Sequence, residues 1–123
     1  MKLEYIDHNL MPDEPYSLMR LYDIDDFDLM KLRHLIKRSL IDRDGLLIIS
    51  NLEFVDPLNC TLTFQLSIED DGIKAPQNEG NDFIARLSRD CYLKMLDAID
   101  TLDSGANCLY QPREEGIKLL LVV

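Results

Sequence analysis

The segment CTLTFQLSI, residues 60 to 68, constrains the chain most. Leu62, Phe64, Leu66 and Ile68 fall on one side of an extended backbone, and Thr61, Thr63, Gln65 and Ser67 on the other. Strict period-two alternation marks a strand with one buried and one wet face, as in an antiparallel sheet. Cys60 is in phase with the apolar side and reads as a small core residue.

Other stretches give weaker signals of the same kind. Residues 2 to 7 alternate as a possible edge strand, and YSLMRLYDI at 16 to 24 reads as a strand. Between them, MPDEP at 11 to 15 has the composition of a turn. LLIIS at 46 to 50 is a continuous apolar run, consistent with a buried strand. Its pairing is expected to continue through residues 52 to 55 and to stop at Asp56-Pro57. EDDG at 69 to 72 is turn chemistry, and residues 74 to 82 form a polar loop.

Residues 82 to 105 fit one long helix, or a short strand, FIARL, followed by a helix from Ser88. The second reading is preferred. Ser88 is a good N-cap, and Leu87 can staple onto Tyr92. Cys91, Tyr92, Met95, Ile99 and Leu102 then share one stripe, the face such a helix buries. The chain closes with CLYQ, the turn PREEG and the apolar run IKLLLVV. Exposed, that last run would aggregate. Leu119 to Val123 are therefore expected inside a sheet, covered on both faces or paired across a homodimer.

The order is β-β-α-β-β-β-α-β-β. It predicts an α+β fold: a two-layer sandwich with a mostly antiparallel sheet of about five to seven strands under two amphipathic helices. At 123 residues the chain fits one domain, 1–123, with enough length for an unaided core.

The formal charge is −10, from 13 basic and 23 acidic residues. Phosphate backbones and anionic membrane surfaces select clustered Lys and Arg, so nucleic acid and membrane are both disfavoured as partners. No apolar run is long enough to cross a bilayer, and MKLEYIDHNL does not resemble a secretory signal. Three scattered cysteines, Cys60, Cys91 and Cys108, argue for a reducing compartment and hence a cytoplasmic protein. The glycosylation match Asn59-Cys60-Thr61 then reads as coincidence.

The segment IDDFDLMKLRHLIKRSLIDRDG, residues 24 to 45, turns from acidic to basic within one helix. Capping explains most of this. Asp25 suits the N-cap, Asp28 sits at N3 as in a capping box, and Ile24 can staple onto Leu29. Lys37, Arg38 and Arg43 lie toward the negative end of the helix dipole. Leu29, Leu32, Leu35, Ile36 and Leu40 form the buried arc. Lys31, Arg33, His34, Lys37 and Arg38 fall opposite, toward solvent. Residues 29 to 41 carry +4, against −14 on the rest of the chain. That basic helix face is the candidate binding surface, although exposed helix faces are commonly charged.

Other chemistry finds no support. Neither DIDDFD nor the stretch around Gly45 matches an EF-hand loop. The spacing of His8, His34 and the three cysteines does not suit zinc. The phosphate loop, dinucleotide fingerprint and nucleophile elbow are all missing, so no cofactor is expected. Tyr22, Tyr92 and Tyr110 are more naturally packing groups than pocket walls. The leading expectation is a non-catalytic protein-interaction module. Acidity and size also admit an immunity- or antitoxin-like inhibitor of a basic partner. A small-molecule binder or enzyme requires a concave site that the sequence does not reveal.

Overall fold

The protein is described by a computed structural model covering residues 1–8, 16–43, 45–76 and 80–123. Its elements are β1 (Lys2–Ile6), β2 (Ser17–Tyr22), α1 (Asp26–Ile36), β3 (Leu46–Ile48), β4 (Asp56–Pro57), β5 (Thr61–Leu66), β6 (Gly72–Lys74), β7 (Asp82–Leu87), α2 (Arg89–Asp100), β8 (Ala106–Tyr110) and β9 (Ile117–Val122). The fold is α+β, as the sequence predicts. The turn expected at 11 to 15, part of the loop expected at 74 to 82, and Asp44 lie outside the described residues.

The strands do not form one mostly antiparallel sheet. They divide into a five-stranded sheet, ordered β4-β1-β2-β9-β8, and a four-stranded sheet, ordered β3-β5-β7-β6. Both are mixed. β1 pairs parallel with β4, β2 with β9, and β5 with β7. The alternating strand β5 is thus antiparallel only to β3. One-sided burial fixes which side chains face inward, but it leaves the direction of the neighbouring strand open.

Leu3, Met19, Leu21, Leu119 and Leu121 from the first sheet join Leu62, Phe64, Ala85 and Leu87 from the second in one core. The helices add Leu32, Ile36 and Leu40, and Tyr92, Met95, Leu96 and Ile99. The Tyr92 ring is fully buried, and its hydroxyl donates to the carbonyls of Gln65 (2.8 Å) and Ala85 (3.1 Å). One side chain of α2 thereby spans the parallel β5–β7 pair.

The region between the helices departs most from expectation. Leu46-Leu47-Ile48 is an edge strand, with Leu47 buried and Leu46 and Ile48 exposed. Residues 49 to 51 turn as a 3₁₀ helix, so pairing does not continue through 52 to 55. Asp56-Pro57, the expected stop, is itself the short strand beside β1. Beyond it, Asn59 completes the β1 edge. Its side-chain amide accepts from the Tyr5 N–H and donates to the Tyr5 carbonyl, both at 2.8 Å. Ile68, expected on the buried side of β5, lies past the strand end and is exposed.

The helix starts follow local chemistry. Asp25 caps α1 by accepting from the Asp28 N–H at 2.8 Å. Asp28 sits near Lys31 Nζ, at 3.9 Å. Ser88 caps α2 by accepting from the Cys91 N–H at 3.3 Å, and residues 83 to 87 are strand. After Ile36 the helix widens into a π-helical turn, Lys37–Ile41, with the Asp42 N–H bonded to the Lys37 carbonyl. The wider turn lets the consecutive residues Leu40 and Ile41 both enter the core.

β9 occupies the interior of its sheet, with β2 on one side and β8 on the other. Its backbone edges are satisfied within the chain. Pairing of Leu119–Val123 with a second copy would require β2 or β8 to leave.

Candidate functional site

The exposed arc of α1 combines charge with bare apolar surface. Phe27 is 72% exposed and Met30 71%, more than any other large apolar residue described except Ile68. Phe27, Met30, Lys31, His34 and Arg38 lie at i, i+3, i+4, i+7 and i+11, one continuous seam of a helix. Phe27, Met30, Lys31 and His34 line a shallow cleft of about 330 Å³. Lys31 Nζ stands 5.1 Å from the centre of the Phe27 ring and 5.5 Å from that of Phe54, within cation–π range of both.

The five basic residues expected on this face take different roles. Arg33 is half-buried and turned toward α2, where it forms a two-bond pair with Asp100 at 2.6 and 2.8 Å. That pair raises the Arg33 pKa further and holds the Asp100 carboxyl below its ordinary range. Lys37 pairs with Asp42 at 3.2 Å. Lys31 sits between two rings and near Asp28. His34 and Arg38 are exposed on the seam, and neither has an ion pair among the described residues. The +4 stripe is thus partly neutralised by carboxylates of the chain itself. Reading the seam by charge alone misses Phe27 and Met30. The signal for both was the helical spacing, which sets them beside Lys31 and His34 and away from the leucine arc.

A larger concavity, about 920 Å³, opens at the start of α2, between residues 68 to 74 and 109 to 117. At its α2 end the polar groups bond one another. The Asp70 carboxylate accepts from the Ser88 N–H at 2.7 Å and from the Cys91 thiol. Partial burial pushes the Asp70 pKa up, but the bonds from Cys91 and Ser88 outweigh it and hold the carboxyl below its ordinary value. Burial, followed by the bond to Asp70 and then its charge, pushes the Cys91 thiol up to about 11. At neutral pH Cys91 is therefore a thiol rather than a thiolate nucleophile.

Cys60 is buried, and burial raises its thiol to about 11. Cys108 is exposed on β8. Among the described residues, no group of three or more His, Cys, Asp or Glu is placed to hold a metal ion. Among the described residues, no helix is long and apolar enough to cross a membrane.

Fold and surface together define a two-sheet α+β domain that presents a bare aromatic-and-cationic helix seam. No protein-family model, curated protein or solved structure matches the chain.

Proposed function

We propose that the protein is a non-catalytic interaction module that docks a protein partner on the outer seam of α1. One observation carries this reading: Phe27 and Met30, each more than 70% exposed, stand on adjacent turns beside Lys31 and His34. Large apolar anchors ringed by polar groups mark binding surfaces, and aromatic and basic residues dominate their energetics. The complementary partner presents an apolar side chain to the Phe27–Met30 cleft and carboxylates to His34 and Arg38. Three free thiols suit a reducing compartment such as the cytoplasm.

The test is affinity capture under native conditions with the wild-type chain and three variants. Phe27→Asp and Met30→Asp must each lose the captured partner, and the pair Lys37→Glu with Arg38→Glu must weaken it in a salt-dependent way. All three must retain the wild-type circular dichroism spectrum. A partner retained by every variant refutes the seam as the docking surface.

A further inference from the structure

The α1 seam carries on itself both features it asks of a partner. Phe27 and Met30 are its bare apolar groups, each more than 70% exposed. Its charges are sorted along the helix. Some are already paired within the chain: Lys2 with Asp23, Lys31 and the Met1 amine with Asp28, Arg33 with Asp100, and Lys37 with Asp42. With these set aside, the exposed groups left are Asp25 and Asp26 at the start of α1 and His34, Arg38 and Arg43 toward and past its end. These have no ion pair among the described residues. Carboxylates at one end, cations at the other and apolar groups between them make a surface that complements itself when reversed.

Reversal is what a two-fold axis does. In an isologous contact, residue i meets residue j of the second copy, and j meets i. Asp26 and Arg38 lie about 18 Å apart along the helix. A two-fold axis across the middle of α1, near Met30 and His34, lays two such helices antiparallel. Asp26 of each copy then comes alongside Lys37 and Arg38 of the other, and Phe27 and Met30 of both copies meet between those ends. A parallel pair sets acid on acid and base on base, which opposes association. We propose that the occupant of the α1 seam is a second copy of this chain, docked antiparallel. The inference rests on the seam being a docking surface and names the partner it takes.

The contact is small. α1 and the π-helical turn after it, 11 and 5 residues long, present a strip about 22 Å long and 10 Å wide. Stable dimers bury about 800 Å² on each partner, so the association is weak and reversible rather than permanent. The charge of −10 opposes it at long range. At about 0.15 M salt, repulsion beyond about 8 Å is largely screened, while groups in contact across the seam are screened far less.

The test is sedimentation velocity of the full chain from about 10 μM to about 1 mM, at about 0.15 M salt. Wild type is expected to shift from monomer toward dimer over this range, and Phe27→Asp to stay monomeric. Asp26→Arg, and separately the pair Lys37→Glu with Arg38→Glu, are each expected to weaken association about fivefold or more. Mixed in equal amounts, these two variants are expected to associate about as tightly as wild type, because each end then meets its opposite charge. In the wild-type chain, amide shifts on dilution must concentrate on residues 26 to 38, a readout that needs no variant to fold. A wild type still monomeric at the highest concentration overturns the second copy as occupant. The seam survives that result as a docking surface if Phe27→Asp still loses a captured partner. A dimer that Phe27→Asp leaves intact, a mixture no tighter than either variant alone, or dilution shifts away from α1 also overturns the proposal.

Discussion

Arg33 on α1 and Asp100 at the end of α2 meet through two parallel bonds, Nε to Oδ1 at 2.6 Å and Nη2 to Oδ2 at 2.8 Å. The fork joins helices that are distant in sequence, and it removes Arg33 from the cations free to meet a partner. Both side chains remain partly exposed, so the contribution is small and screened by salt.

A double-mutant cycle of Arg33→Ala and Asp100→Ala measures this coupling. Each single change is expected to lower the urea midpoint slightly at low salt, and the double change to lower it no further than the larger single one. Arg33 stays charged throughout the accessible range. The Asp100 pKa is depressed in the folded state, so its contribution is present above the ordinary carboxylate pKa and is lost as pH falls through the folded value. The difference between wild type and Asp100→Ala must therefore shrink toward acid pH. A difference that grows there contradicts the assignment.

Phe27 and Met30 make the opposite prediction to their neighbour Leu32. Leu32 is fully buried, and Leu32→Ala is expected to cost about 2–5 kcal/mol. Phe27→Ser and Met30→Ser remove surface that is already wet, and each is expected to change stability by less than about 0.5 kcal/mol. Chemical denaturation of the three variants separates a core face from a docking face. A large loss at Phe27 would make it structural.

Tyr92 is predicted to be the costliest polar contact to remove. Tyr92→Phe preserves the ring and its contact with Phe64, whose centre is 5.6 Å away, but deletes the donor to Gln65 and Ala85. The expected cost is about 1–2 kcal/mol, and amide exchange should quicken along β5 and β7. Unchanged exchange in both strands would show that the hydroxyl does not tie them together.

What the sequence disclosed divides by the range of the interaction. The caps at Asp25 and Ser88 were legible because capping joins residues three apart. The buried stripes of both helices were legible because helical spacing repeats locally. β4 and β6 were not, since two or three residues carry no period and become strands only through partners elsewhere. Leu46-Leu47-Ile48 reads as buried on both sides because all three residues are apolar, and only its place at a sheet edge exposes two of them. The seam was half legible. Its bases stand out in the sequence, while Phe27 and Met30 do not, set as they are among acids and leucines. Which bases were already paired depended on Asp100, far away in sequence.

The same distance hides the link between Asp70 and Cys91, which yields the last prediction. Asp70 holds the first turn of α2 through the Ser88 N–H at 2.7 Å and receives the Cys91 thiol. Its pKa is lowered on folding, so it stabilises the fold above the ordinary carboxylate pKa of 3.8, and that contribution is lost as pH falls through the folded value. Asp70→Asn is expected to lower stability by about 1 kcal/mol at neutral pH and by less in acid. It should also release the thiol. Burial is the larger cause of the high Cys91 pKa, but the Asp70 bond and charge add to it, and both disappear in the variant. Iodoacetamide should therefore modify Cys91 faster in Asp70→Asn than in the wild type at pH about 8, with the Cys60 rate unchanged. Equal Cys91 rates, read by peptide mass spectrometry, would mean that burial alone sets its reactivity. A parallel rise at Cys60 would instead indicate general loosening of the fold.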